Sequence, residues 1–213
     1  MKKMPALIDG ETRIFDSTII LEDIEDKWPS PPLLPATPAA RAAARTIEDV
    51  MDTHFEPINW GLGEIRWFKR AEGKQAADMT AKAAAQTRQL LDWLTERLGD
   101  KEWFGGETFG WADLSVAPYL NRSVHYGIGP LGESPLKAWH TRLCARPSVA
   151  ATFKEFEGAT QGMANAAERL ASGAIRREYR DHRLEWMIKS GGVEVVLAGL
   201  RDDNIRFPWP DAS

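Results

Sequence analysis

The sequence holds a single cysteine, Cys144, so no disulfide can close within the chain. A disulfide-stapled secreted scaffold is thereby excluded, and a reducing, cytoplasmic setting is the expectation. Long apolar runs are missing too. None approaches the roughly 20 residues that cross a bilayer, so no membrane partner is expected. The opening Met1-Lys2-Lys3-Met4-Pro5 carries basic residues with no apolar segment behind them, which does not read as a secretory signal. There is no excess of positive charge: 27 Lys and Arg stand against 31 Asp and Glu, a formal net charge of -4. Nucleic-acid binders usually show a clustered basic face, so no nucleic acid is expected as a partner. His54, His140 and His182 show no ligand spacing with cysteines or carboxylates, so no metal is expected. Internal repeats and low-complexity runs are absent.

What remains is an ordinary globular composition, 43% hydrophobic and 27% charged, in 213 residues. Such a length can bury a sizeable core unaided. The nine tryptophans suit a core, a pocket or an interface equally. Residues 5–8 read as a short strand, Asp9-Gly10 as a hairpin turn, and residues 13–16 as the returning strand. Ser17 then suits the N-cap of a helix with Ile20, Leu21 and Ile24 on one face. Trp28-Pro29 ends it. Pro29, Pro31, Pro32 and Pro35 fall close together and mark an extended linker.

Beyond the linker the period changes from two to 3.6 and the chain reads as helical. Thr37-Pro38 supplies a cap and a proline at the first helical position. Ala43, Ile47, Val50, Met51, Phe55 and Ile58 form an apolar stripe, with Arg41, Arg45, Glu48, Asp49 and Asp52 on the other face and Arg45 spaced to pair with Asp49. Pro57, Gly61 and Gly63 are expected to kink or break that helix. A second helix is read over residues 74–98, with Leu90, Leu91, Leu94 and Leu98 inward and Gly99 as its stop. Further helices are read over 111–126, 134–145 and 147–156. The basic stretch 175–183 is read as a solvated helix face, because Glu178 and Asp181 interrupt it, and Val193 to Leu200 as helix despite its valines.

Three ordered patterns resemble the glutathione S-transferase family. The first is Met4-Pro5-Ala6-Leu7-Ile8-Asp9-Gly10 running into Ile14-Phe15-Asp16-Ser17, similar to that family's glutathione-binding hairpin and acid-Ser helix start. The second is the proline-rich linker, Trp28-Pro29-Ser30-Pro31-Pro32. The third is Trp103-Phe104-Gly105-Gly106 leading to Phe109-Gly110-Trp111-Ala112-Asp113-Leu114, similar to the family's capping box and hydrophobic staple. There Asp113 reaches back to the N-cap amide and Phe109 meets Leu114. Gly110 stands where the family usually has Ser or Thr. Arg146-Pro147-Ser148-Val149 is a weaker fourth match. Together they span residues 4–156.

The resemblance implies a mostly α fold. A partial thioredoxin-like hairpin and helix would occupy residues 1–29, a linker 30–37, and an all-helical C-terminal domain 38–213, with an extension after about residue 160 of the kind some bacterial members carry. It implies glutathione as co-substrate, held by Met4, a cis Pro5, Asp16 and Ser17. A hydrophobic electrophile would lie near Trp60, Trp67, Tyr119 and His125, and two copies would form a homodimer. Without the family, Ser17 reads first as a plain cap of its own helix. A helix start does favour a carboxylate, through its unpaired N–H groups and dipole. The resemblance also implies that the strand, helix and strand preceding the proline, with the catalytic Tyr, Ser or Cys, are missing here. Cys144 falls in the helical domain and reads as a small buried hydrophobe. Three readings stay open: a glutathione-dependent transferase, a non-catalytic helical binding module, or a truncated gene product.

Overall fold

The computed structural model describes residues 5–175, 177, 184, 187–188 and 190–202. Strand β1 (Ala6–Asp9) pairs antiparallel with β2 (Thr12–Phe15), setting Leu7 opposite Ile14 and Asp9 opposite Thr12. Gly10 takes φ +60° in the turn between them, the conformation glycine adopts without steric cost. Helix α1 (Ser17–Lys27) follows directly. Leu21 on α1 and Leu33 and Leu34 in the linker pack on the helical core. The cis peptide among the described residues is Ser30-Pro31. The bond expected to be cis, Met4-Pro5, involves Met4 and lies outside them.

The helical part comprises α2 (Pro38–Val50), a π-helical turn Met51–Phe55, α3 (Glu56–Arg66), α4 (Gly73–Leu98), α5 (Trp111–His125), α6 (Pro135–Cys144), α7 (Pro147–Gln161), α8 (Ala166–Ala171) and α9 (Val193–Arg201). No strand lies between Arg41 and Leu98. The Thr37 side chain accepts from the Ala40 amide at the start of α2, and Ser134 caps α6 in the same way through the Lys137 amide. The α4 stripe Leu90, Leu91, Leu94 and Leu98 is buried against Met51, Phe55, Val116 and Leu120, and Gly99 closes the helix at φ +56°. Of the basic stretch 175–183, only Ile175 and Arg177 are described.

Three expectations are corrected. First, Pro57, Gly61 and Gly63 do not break the helix. Pro57 is the second residue of α3 and the helical backbone runs on through it, the irregularity appearing upstream as the π-helical turn. Second, the polar face of α2 is not all solvent-facing. Glu48 is only 6% exposed and Ala43 is exposed where Ala44 is buried, while Arg45 pairs with Glu22 on α1 rather than with Asp49. Third, Asp16 and not Ser17 is the N-cap of α1, since its Oδ1 accepts from the Thr18 amide.

The linker is stitched to both sides. Glu25 on α1, itself buried, accepts from the amides of Leu33 and Leu34 at 2.9 and 2.8 Å. The Leu33 carbonyl in turn accepts from the Trp111 amide, the first of α5, at 2.8 Å. This close approach accounts for glycine at the α5 cap: a Cβ at Gly110 would lie 2.9 Å from the Leu33 carbonyl oxygen. Serine is the better N-cap by tenths of a kcal/mol in an open site. Here Gly110→Ser should instead destabilise the protein by about 1–3 kcal/mol, the range for forced overpacking. Urea unfolding of the two proteins checks this; a more stable serine variant would show that the linker yields freely.

Candidate functional site

The start of α1 has two unusual features. Asp16 adopts φ 84° and ψ 132°, a region where a residue with a side chain is strained. Such strain persists where the surroundings hold it, and clusters at functional sites. The Asp16 amide donates to the Pro5 carbonyl at 3.3 Å, its carboxylate takes the Thr18 amide at 3.0 Å, and its side chain still faces solvent. Ser17 is exposed at the first helical position. A helix start carries a partial positive charge and amides without intrahelical partners.

Acidic groups from α2 and the π-helical turn converge on this helix start. The Thr18 hydroxyl donates to Glu48 Oε1 at 2.8 Å, and lies 3.5 Å from Asp52 Oδ2. Glu48 Oε2 accepts from the Trp111 indole at 2.6 Å, and Asp52 Oδ1 accepts from the Tyr119 hydroxyl at 2.5 Å. Burial raises the Asp52 carboxyl above the usual range. The bonds from Tyr119 and Thr18 oppose that shift, while the nearby Asp16 and Asp49 charges add to it. Burial, with Asp52 beside it, also pushes the Tyr119 hydroxyl up, so it stays protonated with its one proton committed to Asp52. The arrangement thus offers amides and a hydroxyl for a carboxylate next to carboxylates suited to an ammonium group.

The other candidates are dispersed. Tyr119 alone among them touches the cluster at α1, with its ring stacked on Phe55 at 6.4 Å. Trp60 lines a cleft of about 260 Å³ between α3 and α4, beside Ile65 and Met79. Trp67 is half-buried under the Arg66 guanidinium. His125 is exposed at the end of α5, 3.7 Å from Glu157 of α7. Met4 lies outside the described residues. Asp113 is fully buried: its Oδ2 accepts from the Gly110 amide, and its Oδ1 accepts from the Phe104 amide and the Trp139 indole. Burial raises its carboxyl, and those donors oppose the shift. The Phe109 ring, placed in the sequence as half of a staple, packs edge-on against Trp103 and under the Arg146 guanidinium.

Cys144 is half-buried, and burial pushes its thiol up, away from the reactive thiolate. Its Sγ lies 3.6 Å from His140 Nε2, the same nitrogen that faces Asn121 Oδ1 at 3.3 Å. Burial lowers the His54 and His140 imidazoles, and His182 lies outside the described residues. Among the described residues no group of three or more His, Cys, Asp or Glu is placed to hold a metal, and no helix is long and apolar enough to cross a membrane. Glu48 and Asp52 are the site residues that sequence reasoning missed. The signal available was their position on the same helical run as the apolar stripe.

Comparison with known proteins bears on the fold and the family. A family model described as glutathione S-transferase, C-terminal domain, matches residues 46–147. Glutathione S-transferase U28 of Arabidopsis thaliana is 33% identical over 164 residues, covering 73% of this chain and 69% of that protein. The Tau class glutathione S-transferase of mango, Mangifera indica, superposes with a TM-score of 0.59 at 28% identity, over 79% of this chain and 76% of that one. A glutathione S-transferase from the bacterium Methylobacterium radiotolerans, solved in complex with glutathione sulfonate, is 27% identical with a TM-score of 0.54, over 70% of this chain and 71% of that one. With a mostly helical fold behind a small hairpin, and relatives of this identity over this span, the chain belongs to the glutathione S-transferase family.

Proposed function

We propose that the start of α1 is a glutathione site and that the chain takes part in glutathione-dependent chemistry on hydrophobic electrophiles. The observation that carries the reading is the strained, solvent-facing Asp16 at a helix N-terminus, followed by an exposed serine. The α-carboxylate of the γ-glutamyl group meets the first-turn amides and the Ser17 hydroxyl. Its ammonium group meets the Asp16 and Asp52 carboxylates. The backbone at Pro5 faces the cysteinyl unit, and Met4, outside the described residues, is the further candidate there. The electrophile lies over the helical domain with Tyr119 as the candidate contact beside the α1 start, Trp60, Trp67 and His125 lying apart from it, and two copies of the chain form a homodimer.

Thiolate stabilisation is the weak point of this assembly. Tyr119 holds its proton on Asp52, and Cys144 lies on α6 beside His140. This supports a chain that binds glutathione better than it activates it, so a binding module is the second reading. The test of the site is calorimetric titration with glutathione. Ser17→Ala and Asp16→Ala should each weaken binding by about tenfold, the loss of one bond to a charged ligand group. Unchanged affinity in both variants would move the site elsewhere.

A further inference from the structure

We propose that Thr18 and Glu48 are positioning residues for the glutathione site, joined to Trp111 in a relay that fixes the start of α1 on the helical bundle. This rests on the glutathione reading of Asp16 and Ser17.

The relay spans three helices. Glu48 on α2 is 6% exposed and both its oxygens are taken, Oε1 by the Thr18 hydroxyl at 2.8 Å and Oε2 by the Trp111 indole at 2.6 Å. Trp111 is 1% exposed and holds its own backbone amide on the Leu33 carbonyl at 2.8 Å. A buried carboxylate is stable only when its oxygens are satisfied, so each of these donors is required by the other. Thr18 is the outer end of the relay and is bonded twice. Its hydroxyl goes to Glu48, and its amide goes to Asp16 Oδ1 at 3.0 Å. Moving residue 18 therefore turns the Asp16 carboxylate, the group whose strained backbone marks the site.

The other tie between α1 and α2, Arg45 on Glu22, is half-exposed on the arginine side. Exposed pairs of that kind contribute little and weaken in salt. The hydroxyl–carboxylate–indole relay is inside the protein and is screened far less. It gives residue 18 a requirement that the helix alone does not impose: a hydroxyl in the first turn, pointing away from the ligand.

The experiment compares Thr18→Val, which keeps the shape and removes the hydroxyl, with Thr18→Ser, which keeps the hydroxyl. Two readouts are taken on the full 213-residue chain. One is amide hydrogen exchange over the first turn of α1, together with the Trp111 indole N–H resonance, both without ligand. The other is the calorimetric Kd for glutathione. Thr18→Val should speed exchange at the α1 start, shift the Trp111 indole resonance and weaken glutathione binding by about 3–10-fold, as for one lost hydrogen bond. Thr18→Ser should match the wild type in all three. If wild type and Thr18→Val bind glutathione equally, the positioning role is overturned while the glutathione site stands. If Thr18→Ser fails like Thr18→Val, the methyl and not the hydroxyl matters, and the relay is overturned. A wild-type chain without saturable glutathione binding overturns the glutathione reading itself and the positioning role with it, whatever the exchange data show about the bonds.

Discussion

Replacing Asp113 with alanine should lower stability by about 3–5 kcal/mol, because each buried donor left without a partner costs about 1–3 kcal/mol. Three donors depend on this carboxylate: the Phe104 amide at 3.0 Å, the Gly110 amide at 2.9 Å and the Trp139 indole at 2.7 Å. A capping box on its own contributes about 1 kcal/mol. The larger figure follows because Asp113 also ties the 103–106 turn and α6 to the start of α5, with Trp139 fully buried. In a protein of this size the loss corresponds to a melting temperature lower by roughly 10 °C. Asp113→Asn, which keeps one acceptor oxygen, should fall between the two. A urea midpoint for Asp113→Ala within about 1 kcal/mol of wild type would show that the three donors find water or other partners, and that the carboxylate is a local cap only.

The second large effect concerns turnover. Given glutathione and a chromogenic electrophile, the 213-residue chain should conjugate at least about 100-fold more slowly than an active family enzyme assayed beside it, the usual cost of losing one donor to a developing or stabilised anion. The reason lies in how hydroxyls and thiols are committed. Tyr119 reaches the cluster at the α1 start through Asp52, and burial together with that bond keeps it protonated and occupied. The Thr18 hydroxyl is committed to Glu48, and the Cys144 thiol is raised by burial on α6. Ser17 remains, and its place at the helix start suits a carboxylate. A rate within a few-fold of the active enzyme would contradict this and direct the search to Ser17 first, since its hydroxyl is the exposed one.

How much of this was legible in the sequence depended on whether a residue's role was set by its neighbours in the chain or by distant ones. The α4 leucine stripe and the Gly99 stop follow from helical period and from the conformational freedom of glycine, both local. The β1–β2 hairpin follows from Asp9-Gly10 in the same way. Thr37 and Ser134 act as caps because their side chains reach amides three residues ahead. The choice between Asp16 and Ser17 was not decidable locally, as both residue types cap helices well. The unusual backbone at Asp16 decided it. Glu25, Glu48 and Asp52 were the hardest to read. A carboxylate on an amphipathic helix looks solvent-facing, and only partners eight to 67 positions away, the linker amides, Trp111 and Tyr119, bring Glu25 and Glu48 inside and Asp52 partly so. Gly110 was legible as an acceptable cap but not as a required one, because the Leu33 carbonyl that excludes a side chain comes from the linker.

The most direct test of the account is an amide chemical-shift map of the 213-residue chain titrated with glutathione. Saturable shifts centred on Asp16, Ser17, Thr18 and Ile19 are the expected result, with the Trp111 indole following through Glu48. No saturable shift at the start of α1, or saturable shifts confined to α6 and α7, would contradict it.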